Sequence, residues 1–311
     1  MKLGTNQRNK EILYASWIAI IGNALLSALK ITIGVITGSL AVIGDGIDSA
    51  TDILTSIITL FTAKIISRPP DAKYPFGYQK ADDIAAKVLS FIIFFAGGQL
   101  AISSAKNILN QTSGQEPGNL AIIITIISII GKLFLSYYLR KKGKKVNSIM
   151  LSANGKNMQN DVLISLSVLV GLAAVYFFNL PILDSITAFL VSLWIIKSAF
   201  QIFMESNTSL MDGVKDEEVY NDIFQAVEEV DGASNPHRVR IRQIAGTYII
   251  DLDIEVEGSI CVHEAHVIAQ EVENNIKVKI ENVYDIMVHV EPLGEKHNKE
   301  QFGVSVKDLK K

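Results

Sequence analysis

Asp45-Gly46-Ile47-Asp48-Ser49-Ala50-Thr51-Asp52 lies inside a long apolar stretch, and its pattern returns as Asn154-Gly155-Lys156-Asn157-Met158-Gln159-Asn160-Asp161. Each copy places oxygen-bearing side chains at i, i+3 and i+7, with glycine after the first. On a helix these three positions share one face. Two such faces opposed within a membrane form a cage of hard oxygen donors, the kind of site that suits a divalent cation. The plainer use of such side chains is to cap helices or bridge them by hydrogen bonds.

The flanking sequence supplies the membrane. A spanning helix needs about 20 mostly apolar residues, and six segments qualify, at roughly 12–36, 40–66, 84–107, 119–139, 148–178 and 181–205. The second and fifth are the least hydrophobic because they carry the repeat. Mean hydropathy is +0.30, high for a soluble protein. The net charge of −3 hides a division: residues 212–292 hold 18 acidic and 6 basic residues, the remainder 14 acidic and 23 basic. This predicts a basic transmembrane domain over 1–211, an acidic soluble domain over 212–292 and a flexible polar tail over 293–311.

Lys2, Arg8 and Lys10 precede the first span, Arg68, Lys73 and Lys80 follow the second, and a basic loop, Arg140-Lys141-Lys142-Gly143-Lys144-Lys145, follows the fourth. The opposite loops carry almost no basic residues, which predicts both termini and the soluble domain on the cytoplasmic side. The first apolar stretch is too long for a signal peptide and is expected to be a true span. The single cysteine, Cys261, excludes an intrachain disulfide and fits a reducing compartment. Gly97-Gly98 in the third span signals close helix packing.

The soluble part reads α-β-β-α-β. Helical spacing covers 216–230 and 263–276. Alternating strands cover 239–244 and 248–256, joined at Ala245-Gly246, and a last strand over 283–290 is stopped by Pro292.

A charged residue at the centre of a span costs about 2.5–3.5 kcal/mol, so Asp48, Asp52 and Asp161 together cost roughly 8–10 kcal/mol. Asp52 follows Ser39, and Asp161 follows Ser148, by the same interval, about 20 Å along a helix at 1.5 Å per residue. The two polar faces are therefore expected at similar depth on antiparallel helices.

These features resemble the cation diffusion facilitators, a family of proton-coupled divalent-metal exporters. The resemblance rests on residues 39–52, on Pro75-Phe76-Gly77-Tyr78-Gln79-Lys80-Ala81-Asp82 and on Ala265-His266, and it covers almost the whole chain. It implies a six-helix transmembrane domain with a ferredoxin-like cytoplasmic domain, a homodimer in the inner membrane, and a transport site made of Asp48, Asp52, Asn157 and Asp161. Zinc members of the family it resembles commonly carry His at one or both of the positions of Asp48 and Asn157. Here all five histidines lie at 237 or later. An all-oxygen set suits Mn²⁺ better than Zn²⁺ and resembles the family's manganese branch. Three carboxylates and one divalent cation leave one negative charge, which provides for exchange with a proton.

Asp45 and Asn154, one turn away, line the pathway or support the ligands, or serve only as helix-packing groups. The resemblance further implies a second metal site at Asp71, Tyr74 and Tyr78, where two phenols are poor ligands and the site is expected to be absent or weak. It implies a dimer interlock at Lys80 and Asp212, otherwise two solvated charges. His237, Asp253, His266, His289 and Glu291 match a cytoplasmic metal site at the dimer contact, otherwise surface histidines on an acidic domain. His263 and His297 have no match and are expected to be exposed. The rival readings are a broad Zn²⁺, Fe²⁺, Co²⁺ or Cd²⁺ exporter, or a membrane-anchored metal sensor. No catalytic triad, Cys/His pair or phosphate loop is present, so an enzyme is not expected, and nothing points to nucleic acid.

Overall fold

The computed structural model describes residues 5–78, 80–110, 118–145, 148–214, 217–244, 247–294, 303–306 and 308. Six helices are long and apolar enough to cross a membrane: α1 (Thr5–Thr37), α2 (Leu40–Ile66), α3 (Ala81–Leu109), α4 (Asn119–Lys145), α5 (Ile149–Phe178) and α6 (Ile182–Leu210). After them come α7 (Glu218–Glu228), β1 (Ser234–Ile244), β2 (Thr247–Val256), α8 (Val262–Lys279) and β3 (Val283–Pro292). Two compact units result, Met1–Lys64 with Ala85–Met204 and Ile65–Ile84 with Glu205–Lys311.

Arg140–Lys145 is not the loop that its charge suggests but the last turns of α4. Arg and Lys are good helix formers, and their long stems let the charged ends reach water from a helix end. Lys142 also pairs with Glu11 of α1. Large apolar side chains such as Phe61, Phe95, Phe134 and Phe177 are exposed on the helix surfaces, as lipid-facing residues should be.

Packing extends the repeat well beyond eight residues. A Cβ on Gly22 would stand 2.9 Å from Leu135 Cδ1, and one on Gly131 would stand 3.0 Å from Leu26 Cδ1. Gly34 abuts Ile43 as Gly143 abuts Ser152. Ser27 Oγ donates to the Gly46 carbonyl at 2.8 Å, and Ser136 Oγ to the Gly155 carbonyl at 2.6 Å. Ser39 Oγ caps α2 by accepting from Val42 N, and Ser148 Oγ caps α5 by accepting from Leu151 N. In every pair, residues of 22–52 are replaced by their counterparts at one constant offset in 131–161. The α1–α2 and α4–α5 hairpins are thus two copies of one unit. Three spans per half give the copies opposite direction across a bilayer, an inverted repeat. The glycine after the first polar residue also gains a reason: it lets the preceding helix come close enough to use its carbonyl as an acceptor.

Other contacts fix the frame. Asp184, buried at the start of α6, accepts from Ser39 Oγ at 2.6 Å and Leu40 N at 2.8 Å, and so holds the beginning of α2. Of the glycine pair in α3, Gly97 abuts Ile195 and Ile196 of α6, whereas a Cβ on Gly98 would meet nothing within 4 Å. At the other end of α3, the Asp83 carbonyl and carboxylate accept from Ser206 and Ser209 of α6.

The C-terminal domain has the expected α-β-β-α-β order, with β2 central, β1 antiparallel and β3 parallel to it. Ile223, Val227, Ile250, Leu252, Ile254, Val272 and Ile276 fill its core. The expected hairpin residues Ala245 and Gly246 lie outside the described residues, between β1 and β2. β1 starts earlier than its alternation predicts, because Asn235 and Arg238 take positive φ (45° and 50°) around two register shifts that hide the pattern. Val304, in the tail expected to be mobile, exchanges backbone hydrogen bonds of 3.0 and 2.9 Å with Val239 and packs on the domain core.

Substituting Gly46 or Gly155 by Val should destabilise the protein by about 1–3 kcal/mol through overpacking. Thermal unfolding of the purified protein in detergent checks this. The Gly98→Val control should have a much smaller effect.

Candidate metal centre

The repeat brings six ionisable side chains into the membrane core, two of them lysines. Lys30 Nζ lies 2.8 Å from Asp45 Oδ1, and both side chains are wholly buried. Ser165 Oγ donates to the same Oδ1 at 2.8 Å, and Lys30 also donates to Ser49 and Ser165 at 3.2 Å. This network ties α1, α2 and α5 together. It commits one oxygen of Asp45 to an internal cation.

Lys132 Nζ of α4 is equally buried and stands 3.7 Å from Asp161 Oδ2, with no hydrogen bond. One oxygen each of Asp48, Asp52 and Asp161 is likewise buried without a hydrogen-bond partner. The three carboxyl groups lie close enough for their charges to interact with one another and with Lys132. Buried polar atoms are rarely left unpaired, so four at one place mark a site made for something else.

A cavity of about 110 Å³ reaches this place. Its lining includes Asp52, Thr55 and Ser56 of α2, Asn154 and Asn157 of α5, and Asn23 of α1. Asp52, Asn157 and Asn154 therefore share one cavity wall, while Asp48 and Asp161 lie beyond its lining. Asn23 and the two lysines are absent from the eight-residue motif. The signal for the lysines was present, since an ammonium in an apolar span is as costly as a carboxylate. Asn23 becomes visible only through the repeat, in which it is the counterpart of Lys132.

Among the described residues, only His237, Asp253 and Glu291 bring three such ligand atoms within 4.8 Å of one another. His237 and Asp253 are buried and pair across β1 and β2, and Glu291 comes from β3. His237 Nδ1 donates to the Asn235 carbonyl at 2.7 Å, which turns Nε2 toward Glu291 Oε2 at 3.1 Å. A carbonyl only accepts, so a neutral His237 aims its remaining lone pair at a carboxylate. Either a proton or a metal cation between them resolves that repulsion. The donor set fits a divalent ion, although Arg238 already holds Asp253 at 2.6 Å. His289 is exposed and reaches Glu291 at 3.4 Å. His266 is exposed on α8, apart from this group, as is His263. His297 lies outside the described residues.

Lys80 Nζ meets Asp212 Oδ1 at 2.8 Å within one chain, both about a third exposed. Asp71 accepts from Lys73 N, Tyr74 N and Tyr78 Oη, so its carboxylate has a structural use in the loop after α2. The Tyr78 hydroxyl and the two amides hold its carboxyl below the ordinary aspartate range, and the same bond pushes the Tyr78 phenol up.

Comparison with known proteins agrees with this organisation. The model of the cation efflux transmembrane domain matches residues 16–211, and that of the cation efflux protein cytoplasmic domain matches residues 215–293. The manganese efflux system protein MneS of Bacillus subtilis is 32% identical over 282 residues, which cover 90% of this chain and 95% of that protein. MneP, a manganese efflux system protein of the same organism, is 29% identical over 282 residues, covering 88% and 94%. Among solved structures, the metal-bound C-terminal domain of the CzcD transporter from Thermotoga maritima is 38% identical with a TM-score of 0.25, covering 26% of this chain and 93% of that one.

Three outcomes follow from this geometry. Asp45→Ala leaves Lys30 buried and unpaired and should cost about 3–5 kcal/mol in thermal unfolding, whereas Asp45→Ala with Lys30→Met should recover most of it. Replacing His237 and Glu291 by Ala should remove one Mn²⁺ or Zn²⁺ per chain, as counted by calorimetric titration of the full-length protein. A depressed aspartate pKa stabilises above the ordinary range, and the benefit is lost as pH falls through the lowered value. The order of the Asp71 loop should therefore persist from neutral pH to below the usual aspartate range, then fail on further acidification. Tyr78→Phe should move that failure upward in pH, read from tyrosine fluorescence.

Proposed function

The chain belongs to the cation efflux family, and from that premise we propose that it exports Mn²⁺ from the cytoplasm in exchange for protons. The family is one of transporters and not of enzymes, and the six apolar helices make the chain a multi-pass membrane protein. The reading of the ion is carried by one observation: every candidate ligand in the membrane unit, Asp48, Asp52, Asn157 and Asp161, offers oxygen. The relatives named for manganese efflux support the same choice.

The charges favour a divalent cargo. Asp45 is balanced by Lys30, which leaves Asp48, Asp52 and Asp161 opposed by Lys132. Counting Lys132 revises the single excess charge expected from the carboxylates and the metal alone. With the lysine charged, the site carries two negative charges, and one divalent cation neutralises it. A site that alternates between that cation and protons keeps its buried charge near zero in both states. Proton entry would release the metal, and proton loss would restore the site.

The cavity lies beside the C-terminal half of α2 and the N-terminal half of α5. With both termini in the cytoplasm of a cell whose inner membrane holds the protein, that is the cytoplasmic side. Asn154, Asn157 and Asp52 would then receive the ion first, and Asp48 and Asp161 would close round it. Alternating access would exchange the arrangements of the two hairpins. A homodimer held by the C-terminal domains, with Lys80 and Asp212 bracing the membrane junction and the His237 group binding metal, completes the reading.

Proteoliposomes with a pH-sensitive dye inside test it. Mn²⁺ should evoke a proton flux that Asp52→Ala or Asp161→Ala abolishes, with Zn²⁺ evoking little. Asp48→His with Asn157→His should shift the preference toward Zn²⁺ by tenfold or more. An equal wild-type response to Zn²⁺ would favour the broad exporter, and no metal-evoked flux in folded protein would favour a sensor.

A further inference from the structure

A groove of about 470 Å³ that shares no lining residue with the metal centre lies between α4 and α5. Leu133, Ser136, Tyr137, Arg140, Lys141 and Lys144 line it from α4 and Gln159 from α5. Arg140 Nη1 donates to Gln159 Oε1 at 2.8 Å, so the guanidinium bridges the two helices. Lys141 Nζ sits 5.7 Å from the centre of the Tyr137 ring. Among the described residues none of Arg140, Lys141 and Lys144 pairs with a carboxylate.

Depth fixes what this groove meets. The 27 residues of α4 extend about 40 Å at 1.5 Å per residue, against a hydrocarbon core of about 30 Å. Its last turns therefore emerge among the lipid headgroups. Tyr137 sits where aromatic side chains collect, at the boundary between chains and headgroups. Below it Leu133 and Phe134 are exposed on the helix surface. A basic helix end by itself only sets orientation; here three cations without a carboxylate partner among the described residues share one groove with Leu133 and Tyr137.

We propose that this groove binds the headgroup of an anionic phospholipid. The phosphate would lie between Arg140, Lys141 and Lys144, and one acyl chain would run along Leu133 and Phe134. A bound lipid would clasp α4 to α5, the helix that carries Asn157 and Asp161. The inference goes beyond metal export and stands whether or not manganese is the cargo, since it rests on the span and the groove alone. A free phosphate shares the charge but has no use for the apolar wall.

Native mass spectrometry of the full-length protein, delipidated and then offered phosphatidylglycerol or phosphatidylcholine, tests this directly. Wild type should hold one phosphatidylglycerol per chain more tightly than phosphatidylcholine, by tenfold or more. Replacing Arg140, Lys141 and Lys144 together by Gln should remove that preference. The same exchange at Arg68 and Lys73, in the loop after α2, should leave it intact. All five side chains are exposed, and an unchanged melting temperature would verify folding. An undiminished preference in the triple variant would overturn the assignment. So would displacement of the lipid by millimolar inorganic phosphate, which would make the groove a general anion site.

Discussion

Charge buried in an apolar medium is the constraint on which the rest of this molecule depends. Four aspartates and two lysines gather where α1, α2, α4 and α5 carry the repeat, and buried ions of this kind are costly unless opposite charges or hydrogen bonds compensate them. The Lys30–Asp45 pair is balanced in charge and bonded on both sides by serines, with only Asp45 Oδ2 left over. The second group is unbalanced, with three carboxylates facing Lys132 and unpaired oxygens directed inward. One pair links α1, α2 and α5, and the other group holds more acids than bases.

The inverted repeat shows how these roles were divided. Asp45 corresponds to Asn154, and its partner Lys30 to Leu139: where the acid became neutral, so did the residue opposite. The acid is kept at Asp52 and Asp161, whereas Asn23 takes the place of Lys132. The glycine and serine contacts between paired helices recur in both copies. The frame is therefore symmetric and the charges on it are not. In the proposed transport cycle such a frame would offer two ways to pack its halves, which the asymmetric charges make inequivalent.

Much of this was legible in the sequence. Six spans, the α-β-β-α-β domain and the depth of the polar faces follow from hydropathy, alternation and spacing. The eight-residue motif was visible because identical or isosteric residues recur close together; the longer repeat was not, because its shared Gly, Ser and Leu positions are scattered among unlike neighbours such as Asn23 and Lys132, or Lys30 and Leu139. Lys132 stood in plain view as the one charge of the fourth span, yet its partner lies on another helix, and a sequence without tertiary contacts cannot pair them. His237 reaches Asp253 and Glu291 through backbone shifts at Asn235 and Arg238, which alternation cannot foretell. The basic end of α4 looked like a loop because charge there outweighs helix propensity to the eye, though not in energy.

The most direct test is the coordination shell of Mn²⁺ bound to the membrane site. Pulsed electron paramagnetic resonance of Mn²⁺ can be recorded on the full-length protein with His237 and Glu291 replaced by Ala. The account predicts a bound ion with an oxygen-only shell and no nitrogen coupling, lost when Asp161 becomes Ala. A nitrogen in that shell, or binding that survives the loss of Asp161, would contradict it.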